Sequence, residues 1–291
     1  MALTDLSGIV STIDFHVTCE CNQECPYCWG PQDIEHPVDT ETALAIIDKI
    51  ANLGAKRIVF TGGDPLKRQD IATLIEHAKS IELEVAVSTT GDELTPAFLD
   101  RIASSVDLIS IPLDGPSGAV NENTKKEGHF TAVMRALAWL RDHPSIDVKL
   151  CSPVTKHNLK YVPAIAHLVS HYASTTKARV FFNVFQAFPR AMGEVNWDEL
   201  LVTDEEFRGL KSRVEQGNLK AVNFLDHETL DKLYLMVFPD GSLVVPRGSE
   251  FPSYGQFLDI DDFDVVLKDS SFDSSKHLRH SKGWQKPRNS S

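Results

Sequence analysis

No stretch of this chain approaches the roughly 20 consecutive apolar residues that a membrane span requires. The opening run MALTDLSGIVSTIDF lacks the basic segment and long apolar segment of a secretory signal. Both absences point to a cytoplasmic protein with no membrane partner. Basic charge is scarce as well: 29 Lys and Arg stand against 41 Asp and Glu, a formal net charge of −12. A surface that tracks phosphates needs clustered cations, so a nucleic-acid polymer is not an expected partner. Internal repeats and low-complexity blocks are missing, as are a nucleophile elbow, a Walker loop and an HExxH pair. What remains, 42% hydrophobic and 24% charged over 291 residues, is enough for one large core or two unequal domains.

From residue 13 to about 185 short β-rich runs alternate with longer helical patterns. The expected strands are Ile13–Thr18, Arg57–Thr61, Glu84–Ser88, Asp107–Leu113, Asp147–Cys151 and Arg179–Phe185. Between them, apolar residues recur at helical spacing, as in Ala43, Ile46, Ile47 and Ile50, or Ile71, Leu74, Ile75 and Ala78. Gly54 sits where a helix should stop, and Thr95 followed by Pro96 reads as an N-cap and first helical residue. Strands alternating with single amphipathic helices imply parallel pairing through right-handed crossovers. Six such units fall two short of a closed eight-fold barrel, so the expected fold is α/β, a partial (βα)6 TIM-like barrel over residues 10–195. Residues 196–281, opening on the capping-box pattern Thr203 to Glu206 and carrying short strands around Pro239-Asp240-Gly241, are expected to form a small α+β cap. The basic, Ser-rich residues 282–291 are expected to be a disordered tail.

Only five cysteines are present, and Cys19, Cys21, Cys25 and Cys28 crowd within ten residues while Cys151 stands alone. Such crowding is a metal-ligand pattern, since disulfide frameworks spread their cysteines along short secreted chains. Cys21, Cys25 and Cys28, with Tyr27 before the last, follow the first strand directly. Three thiolates there can hold three irons of one 4Fe-4S cluster and leave the fourth open to a chelating ligand. The alternative is a structural zinc site in a non-catalytic scaffold or binding protein, with Cys19 as fourth ligand. Strand ends add a second observation: Thr61-Gly62-Gly63-Asp64-Pro65, Ser88-Thr89-Thr90-Gly91 and Leu113-Asp114-Gly115 all fall on the face that carries the cysteine loop in a parallel barrel.

This cysteine spacing, with Asn22 after the first cysteine, resembles the signature of the radical S-adenosylmethionine (SAM) superfamily. The resemblance implies an enzyme that reductively cleaves SAM at the cluster to a 5′-deoxyadenosyl radical and abstracts a hydrogen atom from substrate. It implies a catalytic role for the three cysteines and a one-electron reductant such as a flavodoxin or ferredoxin. Gly62, Gly63, Asp64 and Pro65 resemble the family's Gly-Gly-Glu-Pro turn, whose carbonyls receive the SAM ammonium, with Asp64 in place of Glu. By the same resemblance Ser88, Thr89 and Thr90 face the SAM carboxylate or ribose, Ser110 and Asp114 lie near ribose and substrate, and Tyr27 and Val154 frame the adenine.

On the substrate side, Lys149, Asn183, Gln186 and Arg190 are the candidates, in a stretch similar to the Val-Phe-Gln segment of the viperin-like branch, grouped here with the molybdenum-cofactor-synthesis-like branch. They suit a small anionic or nucleotide-like molecule, a sugar or a natural-product intermediate. A peptide-modifying enzyme is the nearest rival. The pairs His167 with His171 and His277 with His280 lack partners at ligand spacing and read as surface histidines. Cys151 is the sole cysteine after Cys28, so the C-terminal extension carries none and holds no second Cys-ligated cluster.

Overall fold

The computed structural model describes residues 6–31, 33–189, 195–217 and 222–282. Ten strands form one sheet: β1 (Thr12–His16), β2 (Arg57–Thr61), β3 (Glu84–Ser88), β4 (Leu108–Pro112), β5 (Asp147–Val154), β6 (Val180–Gln186), β7 (Val222–Leu225), β8 (Met236–Val237), β9 (Ser242–Val244) and β10 (Ser253–Gln256). The first seven run parallel in chain order. The spatial order is β10-β9-β8-β1-β2-β3-β4-β5-β6-β7, an α/β sheet left open at both edges.

Helices α1 (Thr40–Asn52), α2 (Ile71–Ser80), α3 (Pro96–Ile102), α4 (Gly118–Asn121), α5 (His129–Leu140) and α6 (Val162–Ser174) connect the first six strands. They form for local reasons. The Asp39 carboxylate accepts from the Thr42 amide at the start of α1, and Thr95 does the same for Phe98 at the start of α3. Gly54, at φ +82°, ends the turn after α1 in a conformation that a side chain would resist. The buried stripe of α1 is Ala43, Ile46, Ile47 and Ile50, which packs with Ile13, Phe15, Ile58 and Phe60 in the main core.

Residues 196–282 supply α7 (Trp197–Leu200), α8 (Asp204–Gln216), α9 (His227–Leu230), α10 (Phe263–Asp269) and α11 (Ser274–Lys282), together with β7 to β10. The capping box of α8 forms as its sequence requires, with Thr203 accepting from Glu206 N–H and the Glu206 carboxylate accepting from Thr203 N–H. The strands of this segment extend the sheet: β7 adds to β6, and β8 pairs in parallel with β1, Asp14 opposite Met236 and Phe15 opposite Val237. No helical pattern precedes β8 at crossover spacing, so periodicity gave no cue to this parallel pair.

The expectation of surface histidines at His277 and His280 is corrected. His277 is 3% exposed; its Nε2 accepts from the amides of Ser11 (2.8 Å) and Thr12 (3.2 Å), and its Nδ1–H donates to the Leu233 carbonyl (2.8 Å). One imidazole therefore ties α11 to the entry of β1 and to the segment before β8. Burial holds its pKa below the usual imidazole range and pushes that of His280 down to about 3. His167 and His171 lie on the exposed side of α6. Of the expected tail, Lys282 is the last residue of α11, and 283–291 lie outside the described residues. Among the described residues, no helix is long and apolar enough to cross a membrane.

Candidate active site

A cavity of about 720 Å³ opens at the C-terminal ends of the parallel strands. The loop after β1 brings Cys19, Cys21, Cys25 and Cys28 to its wall, and the tips of β2, β3 and β4 bring Gly62, Gly63, Ser88, Thr89, Thr90 and Ser110 to the same space. Parallel pairing accounts for this convergence, since it places every strand end on one face.

The glycine turn and the cysteine loop are stitched together. Gly63 N–H donates to the Thr18 carbonyl and Asp64 N–H to the Glu20 carbonyl, both at 2.7 Å. A Cβ on Gly62, whose φ is +138°, would lie 2.2 Å from Thr18 O, and one on Gly63 would lie 2.3 Å from Glu20 O. Only glycine lets the two backbones approach so closely. Asp64 is fully buried, and its carboxylate accepts from Thr89 Oγ1 (2.8 Å), Thr90 Oγ1, Thr90 N–H (3.2 Å) and Leu66 N–H (3.1 Å). This side chain thus braces the β2 tip against the β3 tip, and Pro65 begins the short 3-10 turn that it caps.

The second bracing group surrounds Asp114. Its carboxylate accepts from Tyr27 Oη–H and Thr124 Oγ1–H, while its own amide donates to Asn121 Oδ1. Asn121 Nδ2 donates to His129 Nδ1, and His129 Nε2–H reaches the Thr90 carbonyl. Lys125 completes the group. Its side chain is 4% exposed, with the ammonium 2.9 Å from Cys25 Sγ, 3.9 Å from Asp114 Oδ2 and 5.2 Å from the centre of the Tyr27 ring. Burial disfavours that charge, but Tyr27, Asp114 and Cys25 outweigh it and hold the Lys125 pKa well above its ordinary value. Burial pushes the Cys25 thiol up against the pull of Lys125, and pushes Cys21 up to about 11. Metal-free thiols of this kind keep their protons, so binding a metal releases them.

Deeper in the cavity the strand alternation turns polar side chains inward. Thr12, Asp14 and His16 of β1 line the space, while Ile13, Phe15 and Val17 face the main core. Burial raises the pKa of Asp14 to about 7 despite Lys149 and Arg57, and lowers that of His16 to about 4. Among the described residues, His16 Nδ1 and Asp114 Oδ1 are buried atoms without a hydrogen-bond partner.

Lys149 and Gln186 line the cavity, and Gln186 Nε2 donates to Asp204 at 2.7 Å. Val154 is fully buried at the end of β5, in the main core. Asn183 lines a second cavity, of about 580 Å³, with Asn223, Lys276 and Arg279; its Oδ1 accepts from Asn223. Arg190 lies outside the described residues. Reading the sequence missed Lys125, His129, Asp14 and His16. The polar-apolar alternation Thr12-Ile13-Asp14-Phe15-His16 carries a signal for the last two; a buried lysine carries none, since lysine is ordinarily exposed.

The donor set suits a multinuclear group. Among the described residues, no three His, Cys, Asp or Glu side chains gather around one point as a mononuclear ion would need. A cluster with one open corner takes three thiolates, and this loop supplies three cysteines beside a glycine turn and an open cavity.

Residues 15–169 match the family described as the Radical SAM superfamily. The chain is 35% identical over 162 residues to the AdoMet-dependent heme synthase of Nitratidesulfovibrio vulgaris, a match covering 54% of this chain and 44% of that protein. It is 28% identical over 202 residues to the mycofactocin maturase MftC of Mycolicibacterium smegmatis, covering 68% and 50%. The chain therefore spans about half the length of these curated relatives. Among solved structures, Streptococcus suis SuiB bound to S-adenosylmethionine superposes with a TM-score of 0.68 at 12% identity, over 93% of this chain and 67% of that one. For anSMEcpe with bound AdoMet the TM-score is 0.64 at 14% identity, over 93% and 82%. Likeness at such low identity is one of fold, and it matches the open α/β barrel described above.

Proposed function

The chain belongs to the radical SAM superfamily, and from that premise we propose that it reductively cleaves SAM and removes a hydrogen atom from a substrate held inside the strand-tip cavity. Cys21, Cys25 and Cys28 would hold one 4Fe-4S cluster. Bound together, cluster and SAM would supply the 5′-deoxyadenosyl radical chemistry of hydrogen abstraction. The chain's own residues do the rest. The carbonyls of the Gly62-Gly63 turn receive an ammonium group, Ser88 presents a hydroxyl to a carboxylate or ribose, Thr89 and Thr90 shape the tip beside it with their hydroxyls given to Asp64, and Ser110 and Tyr27 lie on the wall. Lys149 and Gln186 are the substrate-side candidates of this cavity, whereas Asn183 lines the second cavity and Arg190 lies outside the described residues.

The observation that carries this reading is the convergence of three thiols, a glycine turn packed against the backbone of their loop and the hydroxyl-bearing tips of β3 and β4 on one cavity. A one-electron reductant such as a flavodoxin or ferredoxin would supply the electron, in the cytoplasm. The substrate proposed first is a small molecule such as a nucleotide, sugar or natural-product intermediate, because the inward-facing floor of the cavity carries charged groups that suit a polar molecule. Kinship with the viperin-like or molybdenum-cofactor-synthesis-like branch is supported by Val184-Phe185-Gln186 alone. A peptide substrate is the second reading, favoured by the solved fold relatives SuiB bound to its precursor peptide and anSMEcpe bound to a peptide.

The test is anaerobic purification followed by reduction with SAM. We expect a brown protein with iron-sulfur absorbance that yields 5′-deoxyadenosine, and a colourless, inactive Cys25→Ala variant. Stoichiometric zinc without iron would overturn the reading in favour of a scaffold.

A further inference from the structure

The segment between α4 and α5 places an ammonium group against a cysteine that the proposed function assigns to the cluster, and nothing in that assignment uses it. Lys125 is buried to 4% exposure and reaches Cys25 Sγ at 2.9 Å. Its position is fixed from three sides. Asp114 Oδ2 lies at 3.9 Å, the Tyr27 ring lies beneath at 5.2 Å, and Tyr27 Oη–H itself donates to Asp114. Thr124 Oγ1–H fills a further site on the same carboxylate at 2.7 Å. Lysine is costly to bury and has a flexible stem, so three partners around one ammonium, one of them held in turn by Thr124, constitute a built site. No corresponding cation is hydrogen-bonded to Cys21, whose sulfur accepts from the Gln23 amide at 3.4 Å, among the described residues.

We infer that Lys125 is a positioning residue that sets the reduction potential of the cluster through its charged hydrogen bond to Cys25, with Asp114 moderating that charge. The inference rests on the cysteine assignment above. Its physics is direct. Reduction adds an electron to a cluster held by anionic sulfurs, and a hydrogen bond or positive charge at a sulfur stabilises the reduced form more than the oxidised form. In a site shielded from water the effect of one fixed charge is stronger than it would be at the surface. Arg at this position keeps the charge and the donor; Met keeps the stem volume and removes both. Asp114→Asn leaves an acceptor for Tyr27 and removes the negative charge beside the ammonium, so it shifts the potential the other way.

The experiment is anaerobic potentiometry with electron paramagnetic resonance detection on the reconstituted full chain, with iron and sulfide counted for each variant. Lys125→Met should keep its iron and become harder to reduce by about tenfold in the reduction equilibrium, a shift of ~59 mV for a one-electron couple. Lys125→Arg should stay near the wild-type midpoint, and Asp114→Asn should move above it. An iron-replete Lys125→Met with an unchanged midpoint would overturn the inference while leaving the cluster assignment intact. Should Lys125→Met fail to take up iron, Asp114→Asn decides: a midpoint that is unchanged or lower overturns the inference. Wild-type chain without iron defeats the cluster assignment itself, a distinct outcome.

Discussion

Asp14 shows how far a single residue can depart from its ordinary chemistry inside this fold. Its carboxyl, set among inward-facing groups of the barrel floor, is held at a pKa of about 7 by burial, against the pull of Lys149 and Arg57. Because the folded value lies above the unfolded value of 3.8, the folded chain binds the extra proton between these limits. Stability from this group is intact below about pH 4 and is lost as pH rises through about 7. Asp14→Asn has no proton to lose. The variant should be more stable than the parent at pH 8 by up to about 4 kcal/mol and equal to it near pH 4. Thermal melts across that range check the sign, and a pH-independent difference would refute it. The buried imidazoles behave in the opposite sense: His16, with a folded pKa of about 4, disfavours folding as pH falls below its unfolded value of 6.5.

At the scale of elements, the site depends on how closely the turn after β2 abuts the loop after β1. Gly63→Ala would place a methyl carbon 2.3 Å from Glu20 O and 2.4 Å from Cys19 O, contacts no neighbour can accept without moving. The expected result is a folded chain in which the cysteine loop is displaced, with SAM cleavage reduced by roughly 10²-fold. Iron content, circular dichroism and 5′-deoxyadenosine yield, measured together, separate this from unfolding; wild-type cleavage would contradict the tight apposition. Much of this scale was readable in advance. β2 and β3 have the expected bounds, Arg57–Thr61 and Glu84–Ser88, because β-branched runs ended by polar turns leave little choice. The buried stripe of α1 matches its periodicity residue for residue. Lys125 and the Asn121–His129 relay were not readable, because their roles arise from contacts between separate loops and leave no periodic trace. β8 is two residues long and pairs with the most distant strand in sequence, beyond what any local pattern specifies.

At the scale of the whole molecule, one imidazole joins the two ends of the described chain. His277 on α11 serves both the start of β1 and Leu233 ahead of β8. His277→Ala leaves two backbone amides without that acceptor, each costing about 1–3 kcal/mol when buried. The variant should melt roughly 5–10 °C lower. Its iron content should stay normal at low temperature, because His277 bonds the entry of β1 whereas the cysteine loop follows its exit. An unchanged melting temperature would show that α11 is held by other contacts.

The placement of β1 also governs when the protein can mature. Asp14 and Phe15 sit beside Met236 and Val237, so the strand leading into the cysteine loop has one neighbour close in sequence and the other far along the chain. A nascent chain leaving the ribosome would carry an unpaired strand edge next to its cysteines until the segment around β8 emerges. Aggregation through that edge and oxidation of the thiols are the hazards that this long-range pairing leaves open until β8 docks.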